Sequence, residues 1–550
     1  MSHDSWIQEV ADKVEAFHGQ HHPDSSKIVC ASGISPSGPI HLGNLRELMT
    51  VHFVADELRR RGREVDHIHS WDDFDRLRKI PFGVDPSFSE NIGRPIAEIP
   101  DPFGEFASYA DRHVHAFQES VAQLGINPRY IRQAASYRSG AYVPQIKIAM
   151  AARLAIFDEL AKHQTQGDGG DEGADKRNEY YPYRVYCEAC NKDSTKINEY
   201  DEATGTIAYS CSSCGHTAVF NLDEKCPGKL AWKIDWPMRW HYEGVAFEPG
   251  GEDHASPGSS YTVGKELVRD VFSGVAPHFI MYGFVGAAGR TKLSSSTGTK
   301  IVPAMALRIL EPGVMRWLYC RRECRQKFNI DFGQEVLRLY DEWDSLAKKV
   351  AQGSGTALER DILSRSVATA DGAVPAPTKP ISFRLLSSLA DVTLADPDEM
   401  LRVIGADQEE GTDLSALQQE LEPRLSCAIR WASEFLPEDE RTIINAEFQA
   451  EKYAALTDED RRGISLLLAQ LEDNWSLTGL TGLLYGVPKQ LLNLPLDIKP
   501  TEELKLVQRR FFIALYQLIC SSDTGPRLPT LFLALKPERV RALLTAPAQS

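Results

Sequence analysis

Pro36-Ser37-Gly38-Pro39-Ile40-His41-Leu42-Gly43-Asn44 is the stretch on which the fold reading turns. A short β-prone run, Lys27 to Ala31, precedes it. The segment that follows, His41 to Arg61, carries Leu48, Val51, Ala55 and Leu58 at steps of three, four and three, the period of a helix with one buried face. Gly62 is a natural stop, and Val65 to His69 reads as a second strand. Strand, glycine loop, helix and strand open a parallel βαβ unit. In such a unit the loop can seat a phosphate. Gly38, after Pro36, lets the backbone turn or approach a ligand without a Cβ in the way. His41 and Asn44 fall on the first helical turn, where free N–H groups and the helix dipole attract anions. A histidine there can donate to phosphate oxygens and stabilise charge that builds up in a transition state. Gly43 leaves room for a flat base against the helix backbone. On this segment alone, an ordinary capped strand-to-helix turn is an equal reading.

A second stretch gives the first its meaning. Lys292-Leu293-Ser294-Ser295-Ser296-Thr297-Gly298 follows Pro277 to Val285, a run of aromatic and β-branched residues expected to be a strong strand. A lysine on a small, hydroxyl-rich loop can swing toward the β- and γ-phosphates of a nucleotide and leave with pyrophosphate, while Ser294 and Ser295 hydrogen-bond phosphate oxygens. Taken by itself the string is a flexible surface loop. Between the two lies Gly250-Gly251-Glu252-Asp253-His254-Ala255-Ser256-Pro257-Gly258, where Asp253 could accept bonds from both hydroxyls of a ribose, or simply close an acidic turn.

Two CxxC pairs, Cys187/Cys190 and Cys211/Cys214, are separated by twenty residues. Four thiolates so spaced suit tetrahedral Zn²⁺, and with no open position the site is structural. Gly205 and Gly215 fit zinc-ribbon knuckles, and His216 is a bystander. The remaining six cysteines are scattered and read as packed thiols.

The chain has 550 residues, enough for two to four domains, with 42% hydrophobic and 25% charged content. The absence of a long apolar run and a polar, acidic N-terminus point to a cytoplasmic protein with no membrane partner. A net charge of −16 argues against non-specific coating of nucleic acid but leaves room for a local basic surface. Arg308 to Lys327, with six basic residues against two acidic, is the candidate; a solvated helix face is the plain alternative.

Along the first half, Ala141 to Lys162 is expected as one helix, Gln164 to Asn178 as a mobile loop, and Leu230 to Ile234 and Val245 to Phe247 as short strands. Beyond Lys300 strand patterns nearly vanish. Amphipathic helices are expected over Ile381 to Val392, Leu414 to Phe435, Arg461 to Leu471 and Thr501 to Cys520, with Ala370 to Lys379 as a Pro/Ala-rich spacer.

The two strings, in this order and on an α/β pattern, resemble the HIGH and KMSKS signatures of class I aminoacyl-tRNA synthetases. The order of ASGISPSGPIHLGN, WDDFDRLRKIP (Trp71 to Pro81), WKIDWPMRW (Trp232 to Trp240), GEDHASPGSS and KLSSSTG is similar to that of class I lysyl-tRNA synthetases, and the resemblance runs through essentially the whole chain. It implies an α/β fold: a Rossmann-like parallel-sheet catalytic domain over 1–300, with an insertion at 91–228 that includes a zinc ribbon at 180–226. A connecting helical domain over 301–365 and an all-helical anticodon-binding domain over 366–550 would follow. It also implies activation of L-lysine by ATP with Mg²⁺, and transfer to tRNA(Lys). Catalysis would fall to His41, Asn44 and Lys292, and ATP would be bound by Pro36, Gly38, Gly43, Gly251, Asp253, Ser294 and Ser295 as well. Gly33 and Ser35 would line the lysine site, Trp232, His254 and Tyr282 would wall it, and Asp73 and Asp235 are the expected ammonium partners. Packing against the core is the ordinary fate of such aromatics. One departure stands out. The second lysine of the mobile loop, at the fourth position in the general signature and two places later in the nearest variant, is replaced by Ser295 and Thr297, with Lys300 nearby. A synthetase for another amino acid, such as glutamate or cysteine, and a non-catalytic tRNA-binding relative remain as alternatives.

Overall fold

Strand β1 (Lys27–Ile34) sits inside a four-stranded parallel sheet of order β3-β2-β1-β9. It runs beside β2 (Glu64–Trp71) in a register from Lys27↔Glu64 to Ile34↔Trp71, and beside β9 (Val245–Phe247) through Val29↔Val245. Strand β3 (Arg129–Arg132) extends the far edge. The computed structural model describes residues 5–163, 171–256, 258–288, 301–405 and 413–546. Helix α1 (Trp6–His21) and helix α2 (Leu42–Arg60) cover the sheet. The apolar stripe of α2 is buried as its period requires, with Leu45, Leu48, Val51, Val54, Ala55 and Leu58 fully enclosed.

The insertion begins after β2. It runs through α3 (Tyr109–Gln123), α4 (Gln133–Arg138), α5 (Val143–Ala151), α6 (Arg153–Ala161) and α7 (Asp171–Asn178). A ribbon follows, in which β5 (Thr195–Asp201), β6 (Thr206–Cys211) and β7 (Thr217–Asn221) form an antiparallel sheet, and β4 (Tyr183–Val185) pairs with β8 (Gly228–Leu230). The single helix expected over 141–162 is two, α5 and α6, meeting at Ala152. Of the expected loop 164–178, residues 171–178 are helical and 164–170 lie outside the described residues.

Two expected strands are redrawn. Leu230 ends β8, and Trp232 begins α8 (Trp232–Glu243), so Leu230 to Ile234 is mostly helix. Pro277 to Val285 is broken into pieces that serve different neighbours. His278 bridges Phe247, β11 (Met281–Tyr282) pairs with β10 (Gly250–Gly251), and β12 (Val285–Ala288) pairs in parallel with β13 (Phe328–Asp331). Between β11 and β12 the backbone passes so close to the Arg325 carbonyl that a Cβ at Gly283 would lie 2.5 Å from its oxygen, so glycine is required there. Helix α9 (Ser260–Asp270) packs on α8.

From residue 301 the chain is chiefly helical. Phe383–Val392, Asp458–Ala469 and Glu502–Cys520 fall close to their expected ranges. Leu414 to Phe435 is instead two helices, Leu414–Leu421 and Arg424–Glu434, because Pro423 supplies no N–H to continue the first. The helical half is not cored separately. One apolar cluster runs from Trp6 and α2 through Trp317, Tyr340 and Phe383 to Leu544, while the insertion has a core of its own around Tyr137, Tyr183 and Ile207. Arg46 of α2 joins the halves, its buried guanidinium donating to the carbonyls of Tyr319 (3.0 Å), Glu323 (3.1 Å) and Cys324 (2.9 Å). No helix among the described residues is long and apolar enough to cross a membrane.

Candidate active site

The turn between β1 and α2 is locked by its own side chains. His41 is the N-cap of α2. Its Nδ1 accepts from Gly43 N (3.0 Å), and Asn44 Oδ1 accepts in return from His41 N (3.2 Å), a reciprocal capping box. With Nδ1 accepting, the ring proton of neutral His41 sits on Nε2, where it can be offered to a phosphate oxygen. Asn44 keeps its amide NH₂ for the same use. Gly43 is constrained by what surrounds it: a Cβ would stand 2.8 Å from the His41 ring and 3.2 Å from the Val285 carbonyl oxygen. Upstream, Ser37 O accepts from Tyr109 OH (3.1 Å), which fixes the loop carrying Pro36 and Gly38 against α3.

Lys292, Ser294, Ser295, Thr297 and Lys300 lie outside the described residues. Both flanks of that segment are placed, and both reach the first turn of α2. Val285, in the strand before it, approaches Gly43, and Ile301 after it accepts from Leu42 N (3.1 Å). The residues on either side of the second signature therefore border the turn that carries the first. Gly251 lies in β10 beside Tyr282 of β11, and Asp253 in the 3₁₀ turn that follows, its carboxylate exposed and 3.8 Å from His254 Nε2.

A cluster of aromatic side chains lies among the elements that follow. Trp232 stacks on Trp236 at 5.3 Å, and the His254 ring meets Trp236 edge-on at 5.5 Å. Trp232 Nε1 donates to Ser260 Oγ (3.1 Å). Tyr282 on β11 donates its hydroxyl to Glu47 Oε2 (2.9 Å), while Glu47 Oε1 accepts from Gly33 N (2.7 Å) at the end of β1. Ser35 is half-buried just beyond. Burial pushes the Glu47 carboxyl up to about 8; the Gly33 bond opposes the shift, and the negative Glu248 and Asp72 reinforce it.

Asp73 and Asp235, the expected ammonium partners, are already committed. Asp73 is fully buried, with Oδ1 taken by Ala134 N (2.8 Å) and Oδ2 by the Arg132 guanidinium, which ties β2 to β3. Asp235 accepts from Tyr137 OH (2.5 Å) and lies 3.7 Å from Lys229 Nζ and 3.4 Å from Arg239. Arg239 also pairs with Asp72 (2.9 Å), and Lys229 with Asp75 (2.8 Å). These buried cations hold α8 against the end of β2; Asp235 Oδ2 faces both of them without a hydrogen bond. Sequence reasoning missed Glu47, Trp236, Asp72 and Arg239. Glu47 did leave a signal: it continues the buried stripe Val51, Val54 and Leu58 of α2 at helical spacing, a place where a carboxylate is rarely found without a reason.

The candidate basic surface at Arg308 to Lys327 is largely spent on structure. Arg308 pairs with Glu434, and Arg316 is buried against the Arg365 and Leu124 carbonyls. Arg321 lies over Trp317 and pairs with Glu342, and Lys327 pairs with Glu252 (2.7 Å).

In the ribbon, Cys187, Cys190, Cys211 and Cys214 bring four Sγ atoms within 4.8 Å of one another, with Cys187–Cys214 and Cys190–Cys211 both at 3.7 Å. Such separations are far too long for disulfides. They match the edge of about 3.8 Å expected for a tetrahedron with metal–sulfur bonds of about 2.3 Å. His216 is turned to Glu188 (3.1 Å), away from the thiols.

A family model described as tRNA synthetases class I (K) matches residues 4–369. A lysine–tRNA ligase of Streptomyces coelicolor is 44% identical over 569 residues, covering 98% of each chain. Lysine–tRNA ligases of Pyrococcus horikoshii (31% identical; 96% of this chain and 97% of that one) and Treponema pallidum (30%; 98% of each) are similar over the same span. The chain, in which the segments flanking the second signature reach the first turn of α2, belongs to the class I (K) tRNA synthetases.

Proposed function

We propose that the protein is a lysine–tRNA ligase that joins L-lysine to tRNA(Lys) at the expense of ATP. The observation that carries the site assignment is the convergence at α2: Leu42 N bonded to Ile301 O, and Gly43 held close to Val285 O. A lysine carboxylate oxygen attacks the α-phosphorus of ATP, giving lysyl-adenylate and pyrophosphate. The tRNA 2′-hydroxyl then attacks the acyl carbon, and AMP leaves. His41 Nε2, the Asn44 amide and Lys292 stabilise phosphate charge, with Ser294, Ser295 and the Pro36–Gly38 loop around the nucleotide. Gly251 and Asp253 take the ribose, and Gly33, Ser35, Trp232, His254 and Tyr282 surround lysine. No covalent enzyme intermediate is required; proximity and electrostatics carry the rate.

Mg²⁺ accompanies the nucleotide and offsets phosphate charge. Zn²⁺ is the metal that the four ribbon cysteines fit, in a structural role. The catalytic part spans 1–300 with its insertion at 91–228 and ribbon at 180–226, a connecting part spans 301–365, and 366–550 reads the anticodon by splaying and stacking bases. The protein acts in the cytoplasm.

ATP–pyrophosphate exchange with each amino acid offered singly, followed by charging of total tRNA, tests the reading. Exchange with lysine alone is expected; exchange with another amino acid, or tRNA binding without charging, overturns it. Lys292→Ala should depress adenylate formation by about 10²- to 10³-fold while lysine binding holds, and equal losses in both would contradict its role.

A further inference from the structure

The basic stretch 308–327 keeps two arginines that no carboxylate answers. Arg308 has Glu434, Arg316 has backbone carbonyls, Arg321 has Glu342 and Lys327 has Glu252. Arg322 and Arg325 form no ion pair among the described residues. Arg322 is half-buried; it donates to the Leu318 carbonyl (2.9 Å) and its guanidinium lies 4.3 Å from the Phe328 ring centre, while Arg325 is exposed. A small recess of about 100 Å³ opens beside Arg322, lined also by Arg321, Asn329 and Arg338. Its carboxylates are taken: Glu342 pairs with Arg321 (3.0 Å), Glu335 with Arg338 (2.7 Å), and Asp331 Oδ1 accepts from Gly333 N (2.7 Å). Burial pushes the Arg322 guanidinium down to about 10, Arg321 and Arg46 add to the shift, and Glu342 opposes it. A desolvated arginine in such company lacks an anion. The turn that carries both arginines is anchored on the site. Cys324 O accepts from Gly283 N (2.9 Å), Phe284 O accepts from Phe328 N (3.2 Å), and Lys327 reaches Glu252, the neighbour of Asp253. Arg46 of α2 holds the Glu323 and Cys324 carbonyls.

We propose that Arg322 and Arg325 bind phosphates of the single-stranded 3′ end of tRNA, guiding its terminal ribose to the acyl carbon. This rests on the reading of the protein as a lysine–tRNA ligase and names the surface along which the acceptor strand arrives. The reaction itself puts that ribose beside the lysine carboxyl group. Tyr282, one of the residues assigned to surround lysine, immediately precedes the glycine on which the turn is anchored. The strand leading to the ribose carries a negative charge at every phosphate, and guanidinium forks match phosphate oxygens. In a protein of net charge −16 the overall field opposes a polyanion, so a few cations count most where the strand must pass.

The test is binding of tRNA(Lys) to the intact protein, read by fluorescence anisotropy across a potassium chloride series. A second tRNA, lacking its single-stranded 3′ nucleotides, is measured beside the first. Arg322→Gln and Arg325→Gln should each weaken binding of intact tRNA about three- to tenfold and lower the slope of log K against log [salt] by about 0.7. The lysine and ATP KM values, taken at saturating tRNA, should hold. With the truncated tRNA, wild type and variants should bind alike. A slope unchanged in either variant, or an equal loss with the truncated tRNA, overturns the assignment. Arg322→Lys keeps the charge and should keep the salt slope; a slope lowered as far as in Arg322→Gln would point to lost packing on Phe328 and overturn the phosphate contact. Should Arg322→Gln fail to fold, Arg325→Gln decides alone, since that side chain is exposed. A wild type that charges no tRNA with lysine overturns the proposed function as well; one that does, beside unaffected variants, overturns only the role of this turn.

Discussion

Two neighbouring groups of acids handle buried negative charge in opposite ways. Behind α8, Asp72, Asp75 and Asp235 are answered by Lys229 and Arg239 from the protein itself, and the result is a rigid joint between α8, β2 and the ribbon. Behind β1, Glu47 is answered only by an amide and a hydroxyl. The first arrangement spends its charge on architecture, and the second leaves its carboxyl with neutral partners. An acid in a pocket is therefore informative only once its resident partners have been counted. Asp73 and Asp235, plausible from sequence, both have resident cationic neighbours by that count.

The largest effect should come from breaking the ion-paired group behind α8. Arg239→Met strands Asp72 and Asp235 and should lower stability by about 3–5 kcal/mol in urea denaturation; a loss below about 1 kcal/mol would show that the lattice is not closed. A matched pair of hydroxyl deletions sharpens the contrast. Tyr137→Phe, which frees Asp235, should cost about 1–3 kcal/mol of stability and leave the lysine KM alone, whereas Tyr282→Phe should move the lysine KM with little change in stability. Equal effects of the two on either readout would erase the distinction. Next is the pH dependence. Glu47 has its folded pKa raised, so its contribution to stability is present below its unfolded value of about 4.3 and is lost as pH rises through about 8. Without lysine, Glu47→Gln should therefore gain on the wild type between pH 5 and 8 in thermal melts, and parallel curves would contradict a protonated Glu47. The smallest change is at the shared turn. Gly43→Ala pushes the His41 ring aside by a fraction of an ångström; the adenylation rate should fall by about 10²-fold with melting nearly unchanged.

What could be read in the sequence was what is local. The β1 turn, the capped start of α2 and the paired cysteines are each written within a few residues, since caps, glycines and ligand spacings act at short range. Elements shaped by tertiary neighbours were harder. Residues 230–234 carry strand-like residues, yet Trp232 and Ile234 lie in a helix packed on α9, and composition does not separate such a helix from a buried strand. The run 277–285 is β-prone throughout, but successive pieces answer to Phe247, β10 and β13, and none of those partnerships is local. Pro423 was legible as a break in 414–435 and the amphipathic period overrode it. In the site, aromatic and glycine positions were readable from their strings, while Glu47 and Arg239 matter through residues 235 and 167 positions away, Tyr282 and Asp72.

The pairing of β12 with β13 has a consequence for how the molecule is made. Val285–Ala288 borders the nucleotide turn, and its partner Phe328–Asp331 comes from beyond the change in composition near residue 300. A ribosome must release Asp331 before that edge can close, so the pocket matures late in synthesis although its first signature emerges early. For the same reason a gene split or fusion placed at the compositional border would cut through a sheet, and neither fragment would inherit a working nucleotide cradle.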